Sequence, residues 1–474
     1  MNRSDTIAAI ATPRGVGGIA VIRISGPDAQ QLALRHLNVD TLEPRHTVYC
    51  HFFAGTTASD RCVENALDDV VAIHFPIGYS GEPTVEISCH GSLYLQQALL
   101  QALLEDGARL AEPGEFTLRA FLNGRLDLSQ AEAVADLIEA TTPAQHRLAT
   151  SQLRGGYAAE LKSFRSQLLD LTSLLELELD FSQEDVEFAD RKQLQELVDR
   201  LHQETTRLIN SFRIGNAIKN GIPVAIVGQP NAGKSTLLNA LLNDDRAIVS
   251  PIPGTTRDTI EETLVIDGIP FRFIDTAGLR NSNDPVELLG IERSRKAISS
   301  AEIVLHIVDP NDTTDNVEWI EEEIKHQGKK SLLVINKADL LPEPHYGIIG
   351  STRSPTSVQT LKHSNTQTFK HSNIVYISAM LGKGITELKQ GLVEKTGLQR
   401  DINNVLLSNL RHLDAIKHIE QALDHVIQGL ADNIPADLVA VDLRDALYHL
   451  GTITGDVTSD EVLGNIFSRF CVGK

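Results

Sequence analysis

Lys234 and Ser235 close the octet GQPNAGKS at residues 228–235, which fits GxxxxGK[ST] and lies between an apolar run at 222–227 and a helix-compatible stretch at 236–242. A strand, a glycine-bearing loop and a helix in that order turn successive backbone N–H groups towards a phosphate. The loop residues Asn231, Ala232, Gly233, Lys234, Ser235 and Thr236 are therefore candidate phosphate contacts. Lys234 would neutralise β and γ oxygens, and Ser235 would ligate Mg²⁺. A second motif, DTAG (Asp275, Thr276, Ala277, Gly278), follows the strand-like residues 270–274. That placement sets Asp275 at a strand end beside the magnesium and lets Gly278 offer its N–H to a γ-phosphate. A third, NKAD at 336–339, follows the buried-strand pattern of 331–335. A carboxylate at Asp339 can accept from guanine N1–H and N2–H together. Adenine offers no such donor pair, so a carboxylate reading the base there would favour a guanine over an adenine nucleotide.

In this order the motifs resemble those of P-loop GTPases. The resemblance implies that Asn336 braces the base pocket, that Lys337 lies over the base, and that Ser378 and Ala379, after the apolar residues 374–377, form the fifth motif. GTTRD at 254–258 stands where a first switch is expected, with Thr256 completing the Mg²⁺ shell. Ras-like enzymes carry a Gln directly after DTAG to orient water; Leu279 stands there and can neither donate nor accept a hydrogen bond. Glu287, in the expected second switch at 281–290, carries a carboxylate able to polarise or orient water. The competing reading is a solvated helix-surface glutamate. The Asn231 side-chain carbonyl and the backbone carbonyls of 250–255 offer ligands for a monovalent cation against the phosphates.

Composition describes the chain around this site. Its 474 residues, 42% hydrophobic, suffice for two or three domains. A formal net charge of −20 argues against a broadly basic nucleic-acid surface, so any RNA contact is local or supplied by a partner. Cys50, Cys62, Cys89 and Cys471 have no CxxC spacing, which suggests neither a zinc knuckle nor a disulfide framework and fits a reducing cytoplasm. The apolar stretch at 7–11 is cut short by Pro13 and Arg14, so neither export nor a membrane span is expected.

The elements that must carry these residues follow from periodicity. Short β-favouring runs at 19–24, 47–53, 70–75 and 85–89 describe an N-terminal α+β domain over residues 1–119. Ser129 with Glu132 reads as a capping box, and Leu161, Phe164, Leu168, Leu171 and Leu175 recur at helical spacing as one apolar stripe. The acidic stretch 176–187 reads as a solvated face. Helical periodicity returns at 406–430 and 438–450, which makes 120–218 and 395–474 one discontinuous helical bundle with a Ras-like G domain, 219–394, inserted between its halves. The polar stretch 342–373, with KHSN at 362–365 and again at 370–373, reads as a flexible surface insert. Thr458 and Glu461 are expected to cap a last helix bearing Val462, Ile466, Phe467 and Phe470, before the ending CVGK. Cys471 there is either a reactive thiol or a packed structural one, and the nearby charges do not decide between them.

ATPRGVGGIAVIRISG near the N-terminus, PGEFTLRAFLNGRLDLSQAEA from Pro113, the inserted G motifs and the CVGK ending together resemble the MnmE (TrmE) family of tRNA uridine modification GTPases. The resemblance implies a multidomain α/β chain that dimerises through its N-terminal domain and binds a 5-formyl- or methylene-tetrahydrofolate there. It implies a partner, the FAD- and NADH-using flavoprotein MnmG (GidA), in a heterotetramer. Together they would install a carboxymethylaminomethyl or aminomethyl group on C5 of the wobble uridine of certain tRNAs. Carried over by motif, Asn231, Ser250, Ile252 and Thr255 match K⁺ positions, Ser235 and Thr256 match Mg²⁺ positions, and Glu287 matches the catalytic glutamate; Cys471 is a candidate catalytic residue beside its reading as a structural cysteine. Folate contacts map to Arg23, Glu86, Arg125 and Lys474. Arg125 stands where the family commonly has Lys, which keeps the charge but replaces a point donor with a planar fork. Rival readings are an RNA-binding GTPase switch in ribosome assembly and a folate-binding scaffold with a vestigial G domain. The first lacks a basic appendage, and the second conflicts with intact Lys234, Asp275 and Asp339.

Overall fold

The computed structural model describes residues 5–55, 63–181, 191–244, 262–274, 287–310, 316–342, 344–350, 373–397, 407–432, 434–468 and 470–473, with the backbone alone at 176–181, 191–193, 243–244, 287–291, 316–318, 349–350, 373 and 436. Contacts divide the chain into two units, one of Met1–Ile138, Ala149–Thr205 and Asp414–Lys474, the other of Glu139–Leu148 and Thr206–Leu413.

The first unit is built on a six-stranded sheet of β1 (Ile7–Ile10), β2 (Ile19–Ser25), β3 (Thr47–Phe52), β4 (Asp68–Phe75), β5 (Thr84–His90) and β6 (Arg109–Leu110), in the order β3-β4-β5-β2-β1-β6. All neighbours are antiparallel except β1 and β6. Alternation in β2 decides its faces: Ala20, Ile22 and Ile24 are buried, whereas Ile19 is exposed. The helices Ala29–His36 and Leu93–Glu105 contribute Leu32, Ala33, Leu99 and Leu103 to the same core.

Helices complete this unit. The stripe Leu161, Phe164, Leu168, Leu171 and Leu175 is buried along Gly156–Phe181, which packs against Ala436–Thr454. Both capping assignments shift by a residue or two. The helix Leu128–Glu139 is entered through Asp127 and Gln130 instead of Ser129 and Glu132: Gln130 N–H donates to Asp127 Oδ1 at 2.9 Å, and Asp127 N–H to Gln130 Oε1 at 3.0 Å. Ser129 lies inside the first turn and donates its hydroxyl to Asp127 Oδ1. Ser459, not Thr458, caps Asp460–Phe467, accepting from Val462 N–H at 3.3 Å. A cap needs extended backbone with its oxygen turned towards the N2 or N3 amide, and neighbouring Ser, Thr and Asp residues compete for that geometry.

The second unit holds a seven-stranded sheet of β7 (Ile222–Gly228), β8 (Glu262–Ile266), β9 (Ile269–Ile274), β10 (Ile303–Val308), β11 (Lys330–Ile335), β12 (Gly347–Gly350) and β13 (Asn373–Tyr376), in the order β12-β13-β11-β10-β7-β9-β8. The inner strands from β13 to β9 are parallel, and β8 and β12 are antiparallel edges. Strands such as IVLHIV are almost continuously apolar because helices cover both faces. Lys234–Asp244 and Ile385–Thr396 supply Leu237, Leu241, Leu388 and Leu392 to one core. Glu287–Ser300 and Asn316–His326 supply Ile298, Ile320 and Ile324 to the other. The stretch expected to be a flexible insert contributes the edge strand β12, where β-branched Ile348 and Ile349 pair with Val375 and Ile374 of β13. The repeated KHSN lies outside the described residues apart from Asn373. Among the described residues no helix is long and apolar enough to cross a membrane.

Candidate nucleotide site and N-terminal cavity

The phosphate loop leaves the carboxyl end of β7 and enters the helix Lys234–Asp244, where a doubly wound parallel sheet receives its ligand. Gly233 adopts φ +95°, and a Cβ on it would overlap the Asn336 amide, so glycine is required both by conformation and by close approach. Lys234 Nζ donates to the carbonyls of Gly228 and Gln229 at 2.8 and 2.7 Å, curling its ammonium over the loop. Burial pulls its pKa below the usual lysine value. A buried ammonium held by neutral carbonyls gains from an anion, which is what a phosphate supplies. Asn231 is exposed and sits at φ +66°, outside the helix; Thr236 is exposed on its first turn.

Three loops far apart in sequence meet through one side chain. Asn336, 3% exposed, donates from Nδ2 to the Ala232 carbonyl at 2.8 Å and accepts at Oδ1 from Ala379 N–H at 3.0 Å. Its own backbone N–H donates to Val308 O, and Ala338 N–H donates to Ile377 O. Ser378 is fully buried and its hydroxyl accepts from Leu381 N–H at 3.4 Å. Lys337 follows in the left-handed region at φ 56°, and the short turn Ala338–Leu340 then places Asp339 half-buried, with no hydrogen-bond partner for its carboxylate among the described residues. The bracing assigned to Asn336 is thus present as geometry. Asp309, which closes on Lys337 Nζ at 2.7 Å, was not anticipated; an acid directly after the apolar run 303–308 was the available signal.

Ser250, Ile252, Thr255, Thr256, Asp275, Thr276, Ala277, Gly278, Leu279 and Lys474 lie outside the described residues. Glu287 opens the helix Glu287–Ser300, and its side chain lies outside them too.

A second cluster occupies the first unit. Arg23 and Glu86 face each other across β2 and β5, joined from both Nε and Nη2 of Arg23 to Glu86 Oε1 at 2.8 Å. The Arg23 guanidinium lies 5.4 Å from the Tyr79 ring centroid and 5.6 Å from that of Phe116. Burial raises the Tyr79 pKa, while its hydroxyl bonds Thr117 Oγ1 at 2.9 Å. Tyr79, Gly124, Arg125 and Leu126 line a cavity of about 300 Å³. The cavity thus offers the Tyr79 ring and the exposed cation of Arg125, and Tyr79 packs in turn on Arg23 of the Arg23–Glu86 pair. The residues before the CVGK ending pack through Phe467 and Phe470 on Leu118 and Leu128. Val472 then bridges to Pro113, Gly114 N–H reaches Cys471 O at 3.4 Å, and Cys471 is an exposed free thiol. Cys50 and Cys89 are buried and pushed up by burial to about 11, which leaves them unreactive. No group of three or more His, Cys, Asp or Glu residues suited to a metal ion occurs among the described residues.

A parallel sheet with a phosphate loop at the end of β7 and a guanine-type NKxD turn at the end of β11 defines a P-loop protein of the GTPase class. Residues 6–125 match the family described as GTP-binding protein TrmE N-terminus, and residues 128–471 the MnmE helical domain. The tRNA modification GTPase MnmE of Cytophaga hutchinsonii is 46% identical over 481 residues, covering 100% of this chain and 98% of that protein. That of Flavobacterium johnsoniae is 47% identical over 488 residues, covering 100% of both. The chain belongs to the MnmE family of tRNA modification GTPases. The solved G domain of the T. maritima FeoB iron transporter covers 37% of this chain and 98% of its own at 23% identity and a TM-score of 0.24, a likeness too slight to add to the strand order.

Proposed function

We propose that the protein is a K⁺-activated GTPase of the cytoplasm whose hydrolysis cycle drives G-domain movement in a tRNA-modifying complex. It acts as a homodimer with an FAD- and NADH-using flavoprotein of the MnmG kind, and the product is a carboxymethylaminomethyl or aminomethyl group on C5 of the wobble uridine of certain tRNAs. Function divides along residues 1–119 for dimerisation and folate, 120–218 with 395–474 for the helical domain, and 219–394 for GTP. The observation that carries the GTPase reading is Asn336, which ties the phosphate loop to the base-reading turn and to Ala379 in one buried hydrogen-bonded unit. Such a unit serves a ligand with a triphosphate at one end and a base at the other.

Ser235 and Thr256 would hold Mg²⁺, which supplies charge neutralisation between β- and γ-phosphates. Asn231 with Ser250, Ile252 and Thr255 would hold K⁺, which would supply further positive charge to the phosphate site. Asp275 and Gly278 would face the magnesium and the γ-phosphate, and Glu287 would orient the attacking water in place of the glutamine that Leu279 replaces. Arg23, Glu86, Arg125 and Lys474 would bind the tetrahydrofolate, whose part is to supply one carbon. Cys471 is the candidate nucleophile of the modification step, and its exposure supports that role over a packed structural one.

GTP turnover measured in KCl and in NaCl tests this reading. Turnover should be fast in KCl and slow in NaCl, and equal rates in both would contradict it. Glu287→Ala is expected to keep GTP binding and lose about 10²- to 10⁴-fold in kcat, the range for a positioned general base; a wild-type rate would remove Glu287 from the mechanism.

A further inference from the structure

Asp309 follows the last residue of β10, between the strand that leads into the phosphate loop and the strand that leads into NKAD. It therefore stands at the carboxyl edge of the sheet, where ligands of such sheets bind. Its side chain keeps 14% exposure and meets Lys337 Nζ at 2.7 Å; Lys337 keeps 35%. Lys337 is one of four described non-glycine residues with positive φ, a conformation that costs a side-chain-bearing residue energy and must be held by its surroundings. The turn that follows it carries Asp339.

We infer that Asp309 is a positioning residue for guanine: its carboxylate anchors the Lys337 ammonium so that the lysine stem spans the base pocket and the turn carrying Asp339 keeps its left-handed entry. The inference rests on the GTPase reading above and extends it by one residue that makes no contact with nucleotide itself. Without an anion at 309 the ammonium is free to follow solvent or the nucleotide phosphates, and the stem no longer has a fixed course. Because Lys337 is partly exposed, solvent screens the pair, and the effect expected on affinity is moderate.

The test is a double-mutant cycle on fluorescent-GDP binding by the full chain. Asp309→Asn is expected to weaken binding about fivefold with Lys337 in place, the upper range for a partly exposed pair, and by less than about twofold in a Lys337→Met background. Asp309→Glu should retain most of the affinity, because it keeps the anion. Where Asn fails to fold, Asp309→Ala repeats the cycle. An equal loss in both backgrounds, no loss with Lys337 in place, or an Asp309→Glu loss as large as that of Asn would overturn the inference alone. Absence of GDP binding by the unaltered chain would overturn the GTPase reading and this inference with it.

Discussion

At the scale of single residues, the proposed function assigns base identity to Asp339, which lies half-buried in the turn Ala338–Leu340. Its carboxylate is an acceptor only, matched to two guanine N–H groups, whereas an amide at that position presents a donor. Asp339→Asn should therefore lower affinity for GTP by about 10²-fold or more while raising that for xanthosine triphosphate, whose C2 carbonyl is an acceptor, since a mismatched buried polar site leaves its groups unpaired. Competition between the two nucleotides reads this directly, and an unchanged preference would place guanine recognition elsewhere. Asp339 and Lys234 can be singled out from the sequence because their motifs are local. Asp309 cannot, because its partner is set by a non-local strand pairing between β10 and β11. Tyr79 escaped for the same reason: its stacking on Arg23 exists only once β2 lies beside the turn before β5.

At the scale of elements, periodicity located strands and helices well, and their ends less well. The run 331–335 became Lys330–Ile335, and the apolar stripe on Gly156–Phe181 is buried as its spacing requires. Caps moved because a hydroxyl or carboxylate on either side of a boundary satisfies the same sequence pattern, and only backbone geometry chooses. Ser459→Ala should cost about 1 kcal/mol of stability in the first unit, whereas Thr458→Ala should cost a few tenths. Denaturant titrations of the two variants separate them, and a larger loss at Thr458 would return the cap to that position. The edge strand β12 was hidden inside a polar stretch because four residues pairing on one side need little apolar content.

At the scale of the molecule, two carboxylates of the first unit are held in their charged form by the same pair of arginines. Burial opposes ionisation of Glu115, yet Arg109, the Glu112 backbone N–H and Arg119 outweigh it and hold the carboxyl below its ordinary value. Asp5, between the same two arginines, is lowered against a similar opposition from burial. Carboxylates that titrate lower when folded stabilise fully above their unfolded values, about pH 4 to 4.5, and lose that contribution as pH falls through the folded values. Stability of this unit should drop below about pH 4.5, and Glu115→Gln should flatten the drop while lowering stability at pH 7; an unchanged slope would exclude Glu115 as a cause. Contacts make the first unit discontinuous, with Ala149–Thr205 and Asp414–Lys474 both belonging to it, whereas the expected switch and cation residues fall on segments outside the described residues. The central claim, a GTPase that acts in modifying tRNA, is tested most directly by nucleoside mass spectrometry of tRNA from cells lacking the protein, complemented with the unaltered chain or with Asp339→Asn. The account predicts loss of the C5-modified wobble uridine, restoration by the unaltered chain and failure of the variant; unchanged uridines in the deletion would contradict it.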